Sequence, residues 1–349
     1  MDKPQPGRTT LLIMVSPVPA RIGQITKLMT QDSKMPRQAA ISLYRARMKR
    51  YLIITGDDFG FSWERNEGVM EAFNKGAITS ASLLLNCTGT EEGAAMFKSS
   101  QLCPGLHLNL TEGSPVGEFD YETLVSTEEV FRGKFALRKH LDLGEINPVE
   151  IKRELDSQIK KFIELVGRAP VYVDGHQHIH IHSKVVELFA AALKQHNIRI
   201  TRFPVEINMA AKEWVNPEYM PFFLAMIEKA HVAKKVLDDY GIKTTDSFVG
   251  LSTMGRDMTP ERLQKIILEA FEVAESQLSS DKRGFTTCEL MTHPGYPTHR
   301  ILGGFSWGSD DFGCSEDRIH EINVLSSPEM KDFYKQNNIE LVSHSILLS

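Results

Sequence analysis

From Arg50 onward, short apolar runs that end in polar clusters alternate with longer amphipathic stretches, which restricts the chain to an architecture of parallel βα units. The runs are YLIIT (51–55), ITSASLLL (78–85), GLHLNL (105–110), VYVD (171–174), IRITRF (198–203), DSFVGL (246–251), FTTCELM (285–291) and IELVS (339–343). Between them helices are expected over 64–75, 149–166, 183–195, 221–239, 260–278 and 327–336. Seven or eight such units in roughly 300 residues suit a (β/α) barrel better than an open sheet, because no glycine-rich dinucleotide turn follows the first strand. The stretch Gly113–Pro148 has little periodicity and is expected to form a lid or rim over the site.

A length of 349 residues allows one large barrel domain or two ordinary ones. We expect a flexible extension over 1–47, basic and without sustained periodicity, and a single barrel domain over 48–349. A formal net charge of −5 argues against a broad nucleic-acid footprint. The four cysteines form no CxxC pair, so neither a zinc knuckle nor a disulfide framework is suggested. No apolar run reaches the roughly 18 residues needed to span a bilayer, so no membrane association is expected. The expected location is cytoplasmic; the acid-poor, Ser/Thr-containing extension also permits an organelle transit peptide.

Chemistry concentrates at strand ends, which in a parallel barrel open into one mouth. Asp57-Asp58 directly follows YLIIT; adjacent acids call for a cation or a division of labour between base and ligand, although TGDDFG also reads as a turn or helix cap. His107 and Asn109 alternate with leucines in GLHLNL and so share a strand face, as a ligand or as a hydrogen-bonded structural histidine. VYVDGHQHIHIH is the strongest signal: four of the twelve histidines, His176, His178, His180 and His182, lie within seven positions beside Asp174. Neutral imidazole is the commonest side-chain metal ligand, and a carboxylate can orient it through its other nitrogen. His293, at the end of CELMTHPGYP, enters the same mouth as a general acid or as a loop-shaping residue. Arg202 in ITRFP offers a fixed cation that lowers the pKa of a carboxylate base or binds substrate oxygen.

Together these residues describe a catalytic metal site: Asp and His ligands, a water position, Asp57 as base and His293 as acid. No GxSxG motif indicates a serine nucleophile.

The stretches ITGDDFGFSWERNEGVMEAFNKGAITSASLLLN, GLHLNLTEGSPVG, VYVDGHQHIHIH, DSFVGLST and ELMTHPGYP resemble the YdjC-like family of carbohydrate deacetylases, in family order from Tyr51 to the C-terminus. The resemblance implies a deformed TIM-like (β/α) barrel and metal-dependent removal of an N-acetyl group from an acetylated sugar of the N-acetylglucosamine type. It implies Asp57 as general base, and Asp58, His107 and His176 as metal ligands. His293 resembles the histidine proposed as acid in related deacetylases, and His178 and His180 become second-layer or substrate-facing candidates. The family implies magnesium; a two-histidine, one-carboxylate set also suits zinc or manganese. A homodimer is compatible with this reading. The segment Arg300–Arg318 departs from the family pattern, and Phe305 and Trp307 there are candidates for stacking on a sugar ring. Two alternatives stand beside the deacetylase: another metal-dependent hydrolase, a phosphoesterase or amidase, and a catalytically silent sugar-binding barrel.

Overall fold

The computed structural model describes residues 48–277, 284–298 and 313–349. Lys49–Gln277 and Phe285–Ser349 form one compact unit. At its centre lies β1 (Lys49–Phe59), buried from Leu52 onward. The other strands of the sheet all run parallel: β2 (Ser80–Leu83), β3 (Cys103–Leu108), β4 (Tyr172–Gly175), β5 (Ser247–Val249), β6 (Phe285–Thr292) and β7 (Ile339–Leu341). The order is β4-β3-β2-β1-β6-β5. The length of β1 lets two strands share one edge: β7 pairs with Arg50–Leu52, and β2 with the upper part from Thr55 to Phe59.

The ring closes between β4 and β5 through the run after Ile198, where a strand was expected over 198–203. That expectation is corrected: the run makes only single bridges, Val173 to Thr201, Ile200 to Lys243 and Glu206 to Phe248. Pro204 has no N–H to extend a ladder, so the closure is irregular and the barrel deformed. Among the described residues seven strands therefore form the sheet, and bridged chain takes the place of an eighth. At the N-terminal ends of the strands the chain finishes as a plug. There the His344 ring stacks on Tyr172 at 3.5 Å and its Nδ1 lies 3.0 Å from Ser80 Oγ.

The connecting helices are α1 (Trp63–Asn74), α2 (Thr90–Ser99), α3 (Lys134–Leu143), α4 (Pro148–Val166), α5 (Val186–Gln195), α6 (Met220–Asp239), α7 (Pro260–Gln277), α8 (Asp317–Leu325) and α9 (Pro328–Gln336). The longest stripe belongs to α4, where Ile151, Leu155, Ile159, Phe162 and Val166 recur at helical spacing and are buried. Asn147 caps its start by accepting from the Val149 N–H, and Gly167 ends it in the left-handed conformation.

The expected lid over Gly113–Pro148 contains a helix that its weak periodicity concealed. Within α3 only Leu137 and Leu141, four apart, are buried. The irregular part is tied down by buried acids of α4. Glu154 accepts from the Val116 and Gly117 N–H groups, and Glu150 from those of Thr123 and Leu124. All four cysteines are free thiols. Among the described residues no helix is long and apolar enough to cross a membrane.

Candidate metal centre and active site

Successive strand residues face opposite sides of a sheet, so Asp57 and Asp58 should not reach the same mouth. A register shift between Gly56 and Phe59 and a left-handed Asp58 (φ 61°) remove the conflict. Thr55 and Asp57 keep the lumen-facing phase: Thr55 Oγ1 donates to Glu289, and Asp57 meets Arg202. Asp58 is turned to join them at the rim.

Three donor atoms meet there. Asp58 Oδ1 lies 3.5 Å from His107 Nε2 and 3.3 Å from His176 Nδ1, and those two nitrogens are 3.3 Å apart. Donors about 2.0–2.1 Å from a common ion stand roughly 3.0–3.4 Å from one another, so the triangle fits a single divalent cation. Asp58 Oδ1 is buried, with these two ring nitrogens as its polar neighbours and no well-aligned hydrogen bond. Each histidine uses its other nitrogen on a carboxylate, His107 Nδ1 on Asp174 at 2.7 Å and His176 Nε2 on Glu112 at 2.6 Å. That arrangement orients the rings and leaves the converging nitrogens as the lone-pair donors.

Burial alone would keep His107 neutral, but Asp174 and Asp57 outweigh it and raise its pKa to about 10. Burial likewise opposes charge on His176, and bonds to Asp58 and Glu112 raise it to about 9. Without an ion, protons therefore balance the carboxylates, and a cation entering the triangle would displace them.

Behind the triangle the lumen holds a charged network. Arg202 grips Asp57 through both carboxylate oxygens, at 2.6 and 2.7 Å, and also contacts Asp174 at 3.0 Å and Glu289 at 2.9 Å. The guanidinium thus fills a second acid-histidine group, Asp57, His107 and Asp174. Burial raises Asp57 to about 6 even though Arg202 pulls it down, which leaves a carboxylate ionised yet basic near neutral pH.

The register of β1 on β6 pairs Gly56 with Thr292, which sets Asp57 beside His293. His293 Nε2 is 4.0 Å from Asp57 Oδ2. Burial first, then Arg318, holds His293 well below its usual value, so it rests neutral. Glu321 accepts from the His293 backbone N–H at 2.5 Å and from that of Gly255 at 2.7 Å, and Arg318 donates to the His293 carbonyl and to Asp58 Oδ2.

The histidine run divides by environment. After β4 the chain turns through a 3-10 segment, His176–Ile181, with Gln177 and His178 left-handed. His176 joins the triangle and His178 lines the cavity, while His180 Nε2 bonds to the Arg202 carbonyl at 3.1 Å and has a structural role. His182 lies outside the site, beside Lys229 and Asp142. Asn109, which shares the His107 strand phase, shapes the following turn by accepting from the Thr111 and Glu112 N–H groups.

Glu112, Glu289, Arg318 and Glu321 also surround the site, although no motif marks them. Glu289 alone left a signal, an acid within the apolar run FTTCELM. The cavity measures about 940 Å³ and includes Asp57, Asp58, His107, His176 and His293 in its lining. Phe305 and Trp307 lie outside the described residues.

Fold and site together define a parallel barrel whose strand ends carry an Asp-His-His donor set beside an arginine-held carboxylate. Residues 51–336 match the family described as YdjC-like protein, and the chain belongs to that family. It is 39% identical over 300 residues to a human protein named carbohydrate deacetylase, covering 85% of this chain and 90% of the relative. A mouse protein of the same name is 38% identical over 292 residues, covering 83% and 92%. A chitooligosaccharide deacetylase of Yersinia enterocolitica is 25% identical over 303 residues, covering 85% and 99%. A solved structure from Enterococcus faecalis V583, provisionally named for cellobiose-phosphate cleavage, superposes with TM-score 0.61 at 20% identity, covering 86% of this chain and 99% of that one. That likeness supports the deformed barrel fold.

Proposed function

We propose that this chain is a metal-dependent carbohydrate deacetylase that hydrolyses the N-acetyl group of an acetylated amino sugar of the N-acetylglucosamine type. The observation that carries this reading is the Asp58-His107-His176 triangle beside Asp57, with His293 Nε2 4.0 Å from the Asp57 carboxylate. The names of the relatives support the sugar, and so does a cavity wall of Phe135, Tyr219 and Phe222, since sugar rings pack on aromatic faces.

A divalent ion held by the triangle would polarise the amide carbonyl and make a water molecule more acidic. Asp57 takes the proton of the attacking water, its oxygens aimed by the Arg202 fork. As the C–N bond breaks, His293 carries a proton to the departing amine. Because His293 rests neutral, it must first receive that proton, and Asp57 is the adjacent source. The products are acetate and the free amino sugar. Magnesium is the family's expected ion, with zinc and manganese as alternatives.

Two-metal phosphoester chemistry is disfavoured because the Arg202 guanidinium occupies the second acid-histidine group. The test is acetate release from N-acetylglucosamine and its oligomers by metal-stripped protein, with Mg²⁺, Zn²⁺ or Mn²⁺ restored singly. Release that requires an ion and is lost in Asp57→Asn supports the reading. No release with any ion, or full activity of that variant, overturns it.

A further inference from the structure

His178 lines the cavity and takes no part in the proposed reaction. It is 7% exposed, and no protein group hydrogen-bonds either ring nitrogen among the described residues. Nδ1 is sealed and unpartnered, which leaves Nε2 as the nitrogen that opens to the cavity. A ring nitrogen that opens to the cavity and meets no protein partner is available to a ligand there.

The backbone is bent to hold this ring in place. Gln177 and His178 are both left-handed, at φ 52° and 57°, a conformation unfavourable for residues other than glycine. Two outside contacts secure the bend: Arg138 donates to the Gln177 carbonyl, and Gln177 Nε2 donates to Glu112 at 3.0 Å. Gly175 permits it, because a Cβ there would lie 2.5 Å from His180 Nδ1. The Phe248 and His178 rings meet nearly perpendicular, with centroids 6.3 Å apart.

The tautomer follows from the sealed side. An orphaned buried N–H is less tolerable than an unfilled acceptor, so the proton sits on Nε2 and Nδ1 is bare. His178 thus offers one N–H donor to the cavity.

We infer that His178 is a substrate-binding residue whose Nε2–H donates to a hydroxyl oxygen of the sugar, selecting sugars that carry that hydroxyl. The inference rests on reading the cavity as a sugar site. A donor built into a pocket discriminates strongly against a ligand lacking its acceptor, because the buried N–H is then left unpaired.

The test uses the full chain loaded with metal, as wild type, His178→Phe and His178→Gln. Metal content and melting temperature are recorded for each, to separate loss of the donor from loss of the site. Binding of N-acetylglucosamine and its 3-, 4- and 6-deoxy analogues is measured by calorimetry, and acetate release is measured separately. In wild type, one deoxy sugar should bind at least about 10-fold more weakly than the parent. In His178→Phe the parent should weaken to match that analogue with metal content unchanged, and His178→Gln, which keeps a donor, should recover part of the difference. Equal affinity for all four sugars in wild type, or undiminished discrimination in His178→Phe, overturns the inference, as does the absence of sugar binding. Binding without acetate release from any sugar overturns the deacetylase reading instead and leaves the role of His178 decided by the affinities.

Discussion

Asp57 and Arg202, 145 positions apart in the chain, meet in a two-pronged ion pair of 2.6 and 2.7 Å with both side chains almost fully buried. Arg202→Lys keeps the charge but loses the fork, so Asp57 is no longer aimed and Glu289 and Asp174 lose part of their partner. We expect kcat to fall by about 100-fold or more through misplacement of the base, and stability to fall by about 3 kcal/mol or more from the broken buried pair. Steady-state kinetics and urea unfolding read these separately. Wild-type kcat in the lysine variant would show that the fork does not aim the base.

Glu112 holds the outer nitrogen of His176 and, among the described residues, belongs to no donor set itself. Glu112→Gln should weaken divalent-ion binding about 10- to 100-fold, by loosening the ring and making it a poorer donor. Competition with a chromophoric chelator measures this without reference to turnover. An ion at about 100 times its Kd should stabilise the fold by about 2.7 kcal/mol, and a chelator should reverse that shift in melting temperature.

Glu321 gives stability a pH dependence. Burial, only partly offset by the His293 and Gly255 N–H groups, raises its pKa from 4.5 to about 7. The folded protein therefore holds this proton more tightly than the unfolded chain. Its favourable contribution is complete below about pH 4.5 and is lost as pH rises through about 7, for a total of about 3 kcal/mol. Unfolding free energies of wild type and Glu321→Gln should diverge with pH across that window, the wild type losing ground toward pH 8. Parallel profiles would show that Glu321 is ionised throughout.

Gly68 on α1 packs against the PGYP turn that follows His293, and a Cβ there would lie 2.5 Å from the Gly295 backbone. Neither backbone can yield as a flexible side chain would. Gly68→Ala should cost about 1–3 kcal/mol and lower kcat by displacing His293, while divalent-ion affinity stays near wild type because the triangle lies on other strands. Loss of ion binding in this variant would mean that the turn also supports Asp58.

Much of the site was legible in the sequence because its markers are local. Apolar runs ending in Asp57-Asp58, His107, Asp174-Gly-His176 and His293 announce strand ends, and parallel strands place their ends at one mouth whatever the loop lengths. What escaped depends on partners far along the chain. Arg318, Glu321 and Glu112 come from helices or turns whose own patterns carry no mark of the site. The strand expected over 198–203 reduced to bridges because Pro204 and the neighbouring register, rather than apolarity, limit the ladder.

The sequence by itself determined the parallel βα framework, through hydrophobic periodicity, and the residue types at the strand ends. Only the tertiary structure decided which of those residues act together. A register shift and one left-handed residue bring Asp58 around to the face of Asp57, against the period of the strand. A turn through Gln177 and His178 sets four look-alike histidines in different places: His176 in the donor triangle, His178 on the cavity wall, His180 against the Arg202 carbonyl and His182 beside Lys229 and Asp142. The reason is physical: side-chain periodicity is set by neighbours in sequence, whereas burial, charge pairing and donor convergence are set by neighbours in space.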